Sequence, residues 1–426
     1  MAVAAVIMST ISLRGQDVSR HPGLYRESTG DIGTESLPFY FWYAYKYVHP
    51  VKSAPAQILN YFKNQDLHFG KFFNGIPVES SARIVAVGDM MVKTRMTLGN
   101  SSHLFDDIGP DIQSADIAYG NLEGPAVPAR QASAFPRYNF GKQTVELFKA
   151  KGFEVVSTAN NHSLDQGPEG LAATLDFLDQ LGIKHVGTSR TAQERESNIP
   201  IINANGIKVA FLSYTFGTNG RKIPQDKPWM VNLVEFNLIK GEPDLYLVKR
   251  DIAAARKLGA DVVVVAPHWS LEYEFYPTER LVKRGHEIIE MGADIILGSH
   301  AHCLQPMERY IPTNPERVGL PEAFIIYSLG NFIPDHPQVD FRTTVLLGIT
   351  LKKGMVAGKE KIWIDSIDAK PLFFSTRDGY RLIRIDRALN NRSGYPFLKR
   401  ADFKNLERAR NIISSLFLPN SLAKNQ

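Results

Sequence analysis

From residue 83 onward, short apolar runs alternate with amphipathic segments, and this alternation predicts strands and helices in turn. The amphipathic segments include PEGLAATLDFLDQLG and PTERLVKRGHEIIEMG, which have the character of surface helices. The apolar runs are RIVAVG, ADIAYGN, FEVVSTAN, IKVAFLSY, DVVVVAPH, ADIILGSH and FIIYSLGN. Strands that alternate with helices are typical of a layered α/β domain.

Nearly every apolar run ends in a polar residue that can bind a metal or transfer a proton. A single acidic residue at a strand end is typical of a helix cap, but capping does not explain so many in one chain. In open α/β sheets, functional groups gather beyond the carboxyl ends of the strands. The pattern therefore predicts one shared site, built from Asp89, Glu123, Asn160, Asn161, His162, His268, His300, His302 and Asn331.

Two kinds of chemistry are available in this set. Imidazole nitrogens with carboxylate and amide oxygens suit Mn, Fe or Zn, and the candidate ligands are Asp89, Glu123, Asn161, His268, His300 and His302. His162 lies three residues before Asp165, which could hold its imidazole in one tautomer. His162 is therefore a candidate general acid, with Asp165 as its catalytic partner.

Six sequence blocks resemble, in order, the motifs of the CapA family of bacterial capsule and poly-γ-glutamate synthesis proteins. That family is related to the calcineurin-like metallophosphoesterases. The resemblance runs over residues 83–332, about 60% of the chain. The blocks are GDMM (88–91), NLEGP (121–125), ANNHSLDQG (159–167), HWSLEYE (268–274), GSHAHCLQ (298–305) and YSLGNF (327–332).

The resemblance implies an α/β fold, a four-layer α/β/β/α sandwich of the metallophosphoesterase type with its metal centre at one sheet edge. It further implies one or two divalent ions (Mn, Fe or Zn) and a metal-dependent hydrolysis in which His162 protonates the leaving group. An anionic polymer or a phosphoester is the implied substrate, and a membrane-bound polymer synthase complex is a candidate partner. The ligand roles are assigned by motif position: Asp89 to the first metal, Glu123 as a bridging carboxylate, Asn161 to the second metal, His268 as the isolated histidine, and His300 with His302 as the closing pair.

The chain departs from the family pattern at three positions. Met91 stands where the phosphoesterase Asp-x-His motif has histidine, and methionine is a poor ligand for a hard metal. Glu123 is one methylene longer than the usual aspartate, and Ser270 replaces the glycine of the family's HWG block. Glu272 is a candidate replacement for the lost ligand.

Five further residues are candidates for contact with a metal or a substrate. Asn160 and Asn331 are possible additional ligands or substrate contacts. Arg137, Tyr138 and Asn139, in the FPRYNF block, either touch an anionic substrate or form a structural loop.

Two functions of different class are therefore expected. The first is a capsule or poly-γ-glutamate synthesis protein that hydrolyses a phosphoester or a γ-glutamyl amide. The alternative is a non-catalytic accessory protein that binds a polyanion during polymer assembly or export. His162 with Asp165 favours the enzyme, whereas Met91 and the basic C-terminal segment favour the binding protein.

Three segments are predicted: an aromatic-rich extension over 1–80, the CapA-like domain over 81–375, and a basic, helical extension over 376–426. The first contains FYFWYAYKY, in which seven of nine residues are aromatic. Such a cluster can stack on sugars, lie at a membrane interface or pack on the main domain. From residue 381 onward, ten Lys and Arg face three acidic residues, as expected for a polyanion contact or a solvated helix.

The amino-acid composition excludes several classes of protein. The content of 44% hydrophobic and 22% charged residues excludes a wholly disordered, collagen-like or coiled-coil chain. The single cysteine, Cys303, excludes an intrachain disulfide. No apolar run is long enough for a transmembrane helix, and the apolar start lacks the basic residues of a signal peptide. We expect a cytoplasmic or peripherally membrane-associated protein that does not bind nucleic acid.

Overall fold

The computed structural model describes residues 37–417. The apolar start of the chain, and the parts of the two predicted extensions that fall in 1–36 and 418–426, lie outside the described residues. Within the described range, none of the helices combines the length and hydropathy that a membrane span requires.

The predicted apolar runs all form strands. The strands are β1 (Ser80–Met90), β2 (Ile117–Leu122), β3 (Val155–Ser157), β4 (Lys184–Val186), β5 (Ile201–Ala204), β6 (Ile207–Thr215), β7 (Val262–His268), β8 (Ile295–Leu297), β9 (Met307–Tyr310), β10 (Ala323–Ile326), β11 (Asn331–Ile333), β12 (Thr343–Val356), β13 (Lys359–Ser375) and β14 (Arg381–Arg384).

Helices follow most of the strands in the first two thirds of the chain, and others lie at both ends. They are α1 (Leu37–Val48), α2 (Ala56–Lys63), α3 (Gly109–Gln113), α4 (Lys142–Ala150), α5 (Gly167–Leu181), α6 (Ala192–Ser197), α7 (Tyr246–Lys257), α8 (Glu279–Glu290), α9 (Ile385–Asn390) and α10 (Arg400–Leu416).

The strands form two sheets. In the larger sheet the order is β14-β13-β12-β1-β2-β3-β4, with β11 also paired to β1. Strands β1 to β4 run parallel, whereas β12 to β14 are joined as antiparallel neighbours. The smaller sheet has the order β5-β6-β7-β8-β10-β9, with β6, β7, β8 and β10 parallel.

Three apolar clusters separate the layers and confirm the predicted α/β/β/α sandwich. Alternate residues of β1 point to opposite sides, so Ile84 belongs to the cluster between the sheets and Val85 to the cluster beneath α4 and α5. Tyr119 of β2 stacks on Phe211 of β6 across the sheet interface, with ring centroids 5.6 Å apart. The third cluster joins the outer face of the smaller sheet to α2, α7 and α8. Both faces of each sheet are covered, which explains why the strands read as continuous apolar runs.

Helix α8 shows how the amphipathic pattern sets this packing. The Thr278 hydroxyl accepts a hydrogen bond from the Leu281 N–H at 3.3 Å and caps the first turn. Leu281 and Ile288 are then buried on one side of the helix against the smaller sheet. The cap fixes the first residue of the helix, and the spacing of the apolar residues along it sets the side that faces the sheet.

The described parts of both predicted extensions pack on the two sheets. Phe62 of α2 joins the outer cluster of the smaller sheet, and Leu406 of α10 joins the cluster between the sheets. Several basic residues of the C-terminal segment form ion pairs, such as Arg384 with Asp386 at 2.6 Å. The domain limits 81–375 stay a prediction.

Candidate metal centre

The carboxyl ends of strands from both sheets meet at one edge and carry the predicted site residues. Asp89 lies at the end of β1, opposite Asn331 of β11, and Glu123 directly follows β2. His268 ends β7 and forms an isolated bridge with Ser299 in the loop after β8. Asn161 and His162 follow β3, and His300 and His302 follow β8. Because parallel strands end on the same side, the fold brings together residues far apart in sequence.

The loop after β8 is held in an unusual backbone conformation. His300 has φ 90° and His302 has φ 55°, in the left-handed region. Each such non-glycine residue costs ~1–3 kcal/mol, and such strain clusters at functional sites. Gly298 opens this loop, and a Cβ built on it would lie 2.0 Å from the carbonyl oxygen of Tyr327. The loop therefore needs glycine at 298 to present the two histidines.

The structure contains three groups of three residues that could hold a metal, and all of these residues are buried. Within each group, the ligand atoms lie within 4.8 Å of one another. Two groups share Glu123, and two share His300. The groups are Glu123 with His268 and His300, Asp89 with Glu123 and His302, and Glu272 with His300 and His302. Glu123, like His300 and His302, belongs to two of the three groups, and its bridging role stays a prediction.

The unpaired polar atoms of this cluster fit a divalent cation. Within the described residues, neither carboxylate oxygen of Glu123 and neither ring nitrogen of His300 has a hydrogen-bond partner. Glu123 Oε1 lies 3.7 Å from His268 Nε2 and 3.8 Å from His302 Nε2. Buried polar atoms are normally paired, so unpaired donor atoms converging on one point indicate a ligand. The set of imidazoles and carboxylates suits Mn, Fe or Zn.

Burial sets the protonation of the central residues. Burial raises the pKa of Glu123 well above its usual range, and the charge of Asp89 adds to this effect. Burial also lowers the pKa of His268 to about 3 and that of His300 well below its ordinary value. Both imidazoles are therefore neutral at physiological pH and carry a lone pair for a metal.

The pKa values of His302 and Asp89 shift in the opposite direction from those of His268 and Glu123. Burial alone would lower the pKa of His302, but Glu123 and Asp89 raise it to about 10. Burial alone would raise the pKa of Asp89, but its contact with His302 and the nearby histidine charges lower it. His302 Nδ1 lies 3.5 Å from Asp89 Oδ2 and 2.8 Å from Asn331 Oδ1. Without a metal, His302 and Asp89 thus form an ion pair, oriented by Asn331.

His162 and Asp165 form a second constellation beside the donor groups. Nδ1 of His162 lies 2.7 Å from Asp165 Oδ2, which also accepts the Tyr138 N–H at 2.7 Å. Arg221 Nε donates to Asp165 Oδ1 at 2.9 Å. Asp165 thus fixes the ring, and Nε2 of His162 faces Asn219 Nδ2 at 3.5 Å. This arrangement leaves Nε2 as the atom that can exchange a proton.

Asn161 links the two constellations. Its Oδ1 lies 3.0 Å from His268 Nε2, and its Nδ2 donates to Asn219 Oδ1 at 3.2 Å. Asn160 has a different environment, because its Nδ2 donates to the carbonyl of Leu122 and its Oδ1 accepts the His162 N–H. Asn160 therefore holds the loop, and its neighbour Asn161 faces the donor groups.

Glu272 contacts helix α1, a contact that the sequence did not indicate. Tyr43 of α1 donates a hydrogen bond to Glu272 Oε2, and Tyr43 Oη lies 2.9 Å from Tyr273 Oη. Glu272 Oε1 lies 3.9 Å from His300 Nε2. Lys46, one turn further along α1, forms a buried ion pair with Glu274 at 2.7 Å. The aromatic segment therefore packs on the domain and orients a candidate ligand.

Other side chains that sequence reasoning missed support individual ligands. Asn121 Nδ2 donates to Asp89 Oδ1 at 2.8 Å, and Ser299 Oγ lies 2.8 Å from His268 Nδ1. Both residues stand inside quoted blocks, NLEGP and GSHAHCLQ, so their positions carried a signal. Asn219 and Arg221 belong to a loop without such a motif.

Residues of the FPRYNF block were expected either to touch an anionic substrate or to form a structural loop, and their settings in the structure differ. The Tyr138 ring contacts the His162 ring at a tilted angle, with ring centroids 4.3 Å apart. Asn139 is buried, and its Nδ2 donates to backbone carbonyls such as that of Gln131 at 3.1 Å, as a structural loop requires. Arg137 is exposed. Only Arg137 is thus free to meet a solvent-borne ligand.

Two departures from the family pattern have clear structural settings. Met91 is buried in the outer apolar cluster of the larger sheet. Ser270 has φ 73°, a conformation that favours glycine, and its Oγ accepts a hydrogen bond from Gln305 Nε2 at 2.9 Å. Glycine at position 270 in the family motif is therefore explained by backbone conformation.

The fold and the site define a two-sheet α/β protein with a cluster of His, Glu and Asp side chains at one sheet edge. The model of the family described as bacterial capsule synthesis protein PGA_cap matches residues 83–336. The chain belongs to this family, which confirms the resemblance drawn from the six blocks.

Individual relatives agree with this membership. The chain is 29% identical to the PGA biosynthesis protein CapA of Bacillus subtilis (strain 168) over 67% of its own length and 72% of that protein. It is 30% identical to the capsule biosynthesis protein CapA of Bacillus anthracis over 62% of its length and 63% of that protein. Among solved structures, it is similar to a 5′-nucleotidase precursor from Thermus thermophilus, with TM-score 0.41 and 15% identity over 70% of this chain and 56% of that chain.

Proposed function

We propose that this protein is a metal-dependent hydrolase of capsule or poly-γ-glutamate synthesis. The observation that carries the proposal is the His162–Asp165 pair beside a buried cluster of metal donors, in which Glu123 and His300 have no hydrogen-bond partner among the described residues. Structural metal sites need no positioned proton donor, so the pair favours catalysis. The family membership and the names of the two CapA relatives support the biological setting.

The proposed ligands are Asp89, Glu123, Asn161, His268, His300 and His302, with Glu272 as an additional carboxylate. One or two divalent ions bound there would act as a Lewis acid and lower the pKa of water to near neutrality. The chain supplies the rest of the chemistry. Asp165 accepts a hydrogen bond from the Nδ1–H of His162, and Arg221 and the Tyr138 N–H hold Asp165 in place. The imidazolium of His162 then donates its Nε2 proton to the leaving group.

Two substrate bonds suit this arrangement, namely a phosphoester and a γ-glutamyl amide. Both develop negative charge on oxygen that a divalent ion stabilises, and both release a leaving group that needs a proton. Turnover of an alkyl phosphodiester, whose alkoxide leaving group needs a proton, compared with turnover of γ-glutamyl nitroanilide separates the two. Activity measurements therefore decide which of these two bonds the protein cuts.

The test combines metal content with activity. The protein, purified without a histidine tag or chelator, is expected to contain about one or two equivalents of Mn, Fe or Zn, as in related two-metal sites. The double variant His300→Ala/His302→Ala should lose the metal. His162→Ala should keep the metal and lose turnover by about 10²- to 10⁴-fold, the usual contribution of a general acid. Absence of bound metal after reconstitution with each ion would refute the metallohydrolase.

A non-catalytic accessory protein is the second candidate, and Met91 favours it. A methionine in place of the Asp-x-His histidine removes one nitrogen donor from the expected set. In that case the protein should bind an anionic polymer, and His162→Ala should leave this affinity unchanged. Metal binding without turnover of either substrate class would select this function.

A further inference from the structure

A wide cleft opens beside the His162–Asp165 pair. Its volume is about 590 Å³. Asp165 lies in its wall, so the cleft and the proposed proton donor share one residue. The other charged residues in its wall are Arg130, Arg137, Arg221 and Lys222.

The charge of the cleft is strongly positive. Four cationic side chains surround it, and Asp165 is the acidic residue among those that line it. Asp165 is already engaged by Arg221 Nε at 2.9 Å. Arg130 donates to the carbonyl of Gln166 at 2.8 Å, which holds its guanidinium at the cleft wall. Arg137 and Lys222 are exposed, and the described residues give neither side chain a salt bridge.

The start of α5 adds a second, independent feature. Gln166, Gly167 and Pro168 line the cleft, and α5 begins at Gly167 and runs for 15 residues. Gln166 makes no capping hydrogen bond with its side chain. Gly167 donates its N–H to the Leu164 carbonyl at 3.0 Å and Pro168 has no N–H, so the start of α5 contributes the positive end of its helix dipole to the cleft. The helix start and the cations therefore favour the same kind of ligand.

We infer that this cleft is a binding subsite for an extended polycarboxylate, adjacent to the bond that is cut. The cleft volume and the four cations exceed what a single phosphate group needs, whereas successive carboxylates of a chain can meet several cations. The inference rests on the proposed function for the position of the reacting bond at His162. The cleft supplies the preference for an extended polyanion. The choice of carboxylates follows from the proposed γ-glutamyl substrate.

The test is equilibrium binding of a fluorescein-labelled glutamate oligomer to the full chain, measured by fluorescence anisotropy at low ionic strength. The variant Arg137→Glu/Lys222→Glu reverses two exposed charges that the fold does not require. We expect it to weaken binding by about tenfold or more, because each lost attraction becomes a repulsion at the cleft. A neutral glutamine oligomer should bind neither protein.

A matched control carries the same charge change at the other end of the larger sheet. Lys359 and Lys361 are exposed at the β12–β13 hairpin, near the start of β1 rather than its end at Asp89. Lys359→Glu/Lys361→Glu should bind the oligomer like the wild type. Equal losses in both variants would show a general charge effect and overturn the subsite.

Two further outcomes separate this inference from the proposed function. Unchanged oligomer binding in Arg137→Glu/Lys222→Glu would overturn the subsite, whatever the metal content and turnover. Displacement of the oligomer by equimolar inorganic phosphate would identify a single-phosphate site and overturn the extended polycarboxylate. Conversely, a protein that binds the oligomer through this cleft but neither binds metal nor turns over substrate would refute the hydrolase and keep the subsite.

Discussion

Glu123 offers the sharpest test of the metal centre, because replacement by glutamine keeps its volume and removes only the carboxylate. Both of its oxygens are buried and unpaired within the described residues, and two of the three donor groups include it. Burial raises its pKa well above the usual range, and the charge of Asp89 adds to this effect. We therefore expect Glu123→Gln to change the melting temperature of the metal-free protein little, and to weaken metal binding strongly.

The size of the effect follows from linkage between binding and folding. A ligand present at 100 times its dissociation constant stabilises the native state by about 2.7 kcal/mol. For a chain of this size, whose entropy of unfolding is about 0.9 kcal/mol/K, that corresponds to a rise in melting temperature of about 3 °C. Wild-type protein freed of metal by a chelator should show this rise when Mn²⁺ or Zn²⁺ is titrated in a differential scanning fluorimetry assay. The Glu123→Gln variant should show almost none.

Glu308 supplies a matched control, since it is a buried glutamate away from the donor groups. It accepts hydrogen bonds from Tyr61 at 2.5 Å and Tyr327 at 2.7 Å. Glu308→Gln should lower the melting temperature of the metal-free protein, because an amide cannot accept at both positions, and should keep the full metal-induced rise. A metal-induced rise of wild-type size in Glu123→Gln would refute the reasoning.

Three other measurements probe the site. Ser270→Ala and Ser270→Gly both remove the hydroxyl, but only glycine relieves the strain of the positive φ. Ser270→Gly should therefore be more stable than Ser270→Ala by ~1 kcal/mol in urea unfolding, and equal stabilities would contradict this. Tyr43→Phe should weaken metal affinity by about tenfold because Glu272 loses its hydrogen bond, whereas Tyr45→Phe on the same helix should not. Calorimetric titration of the metal distinguishes the two variants. Metal must displace the proton held by His302, whose pKa is raised to about 10, so apparent affinity should rise with pH by about tenfold per unit per proton released between pH 6.5 and 8.5. Affinity independent of pH in this window would show that His302 does not bind the metal.

The strands and the gathering of the site residues could be predicted from the sequence because local pattern and topology agree. Strands buried on both faces are continuously apolar, so their ends are visible as the first polar residues, such as Asp89 and His268. Parallel strands end on one side, which brings those residues to one edge without knowledge of the tertiary packing. The four-layer arrangement followed from the resemblance, and the three apolar clusters confirm it.

Contacts made across long sequence distances could not be predicted in this way. Tyr43 and Glu272 are 229 residues apart, and nothing in the aromatic pattern of α1 indicates which loop it packs against. The cleft beside His162 joins Arg130 and Arg137 to Arg221 from a distant loop. Such contacts depend on how layers and loops settle against each other, which local periodicity does not encode.

The setting of Met91 bears on how the centre compensates for the missing histidine. Met91 belongs to the outer apolar cluster, whereas Asp89, two residues earlier, is held in the site by Asn121 and the His300 N–H. A donor at position 91 would therefore have to replace apolar contacts. Glu272 offers a charged donor from the other sheet, within reach of His300.

The proposed replacement of the missing imidazole by the Glu272 carboxylate changes the charge of the centre. Asp89, Glu123 and Glu272 are buried together, and their mutual repulsion falls when a divalent cation lies between them. We infer that the cation contributes more to the stability of this centre than it would in one richer in histidine. Tyr43 donates to Glu272 from a helix outside the family match, so a residue of the aromatic segment orients this proposed ligand.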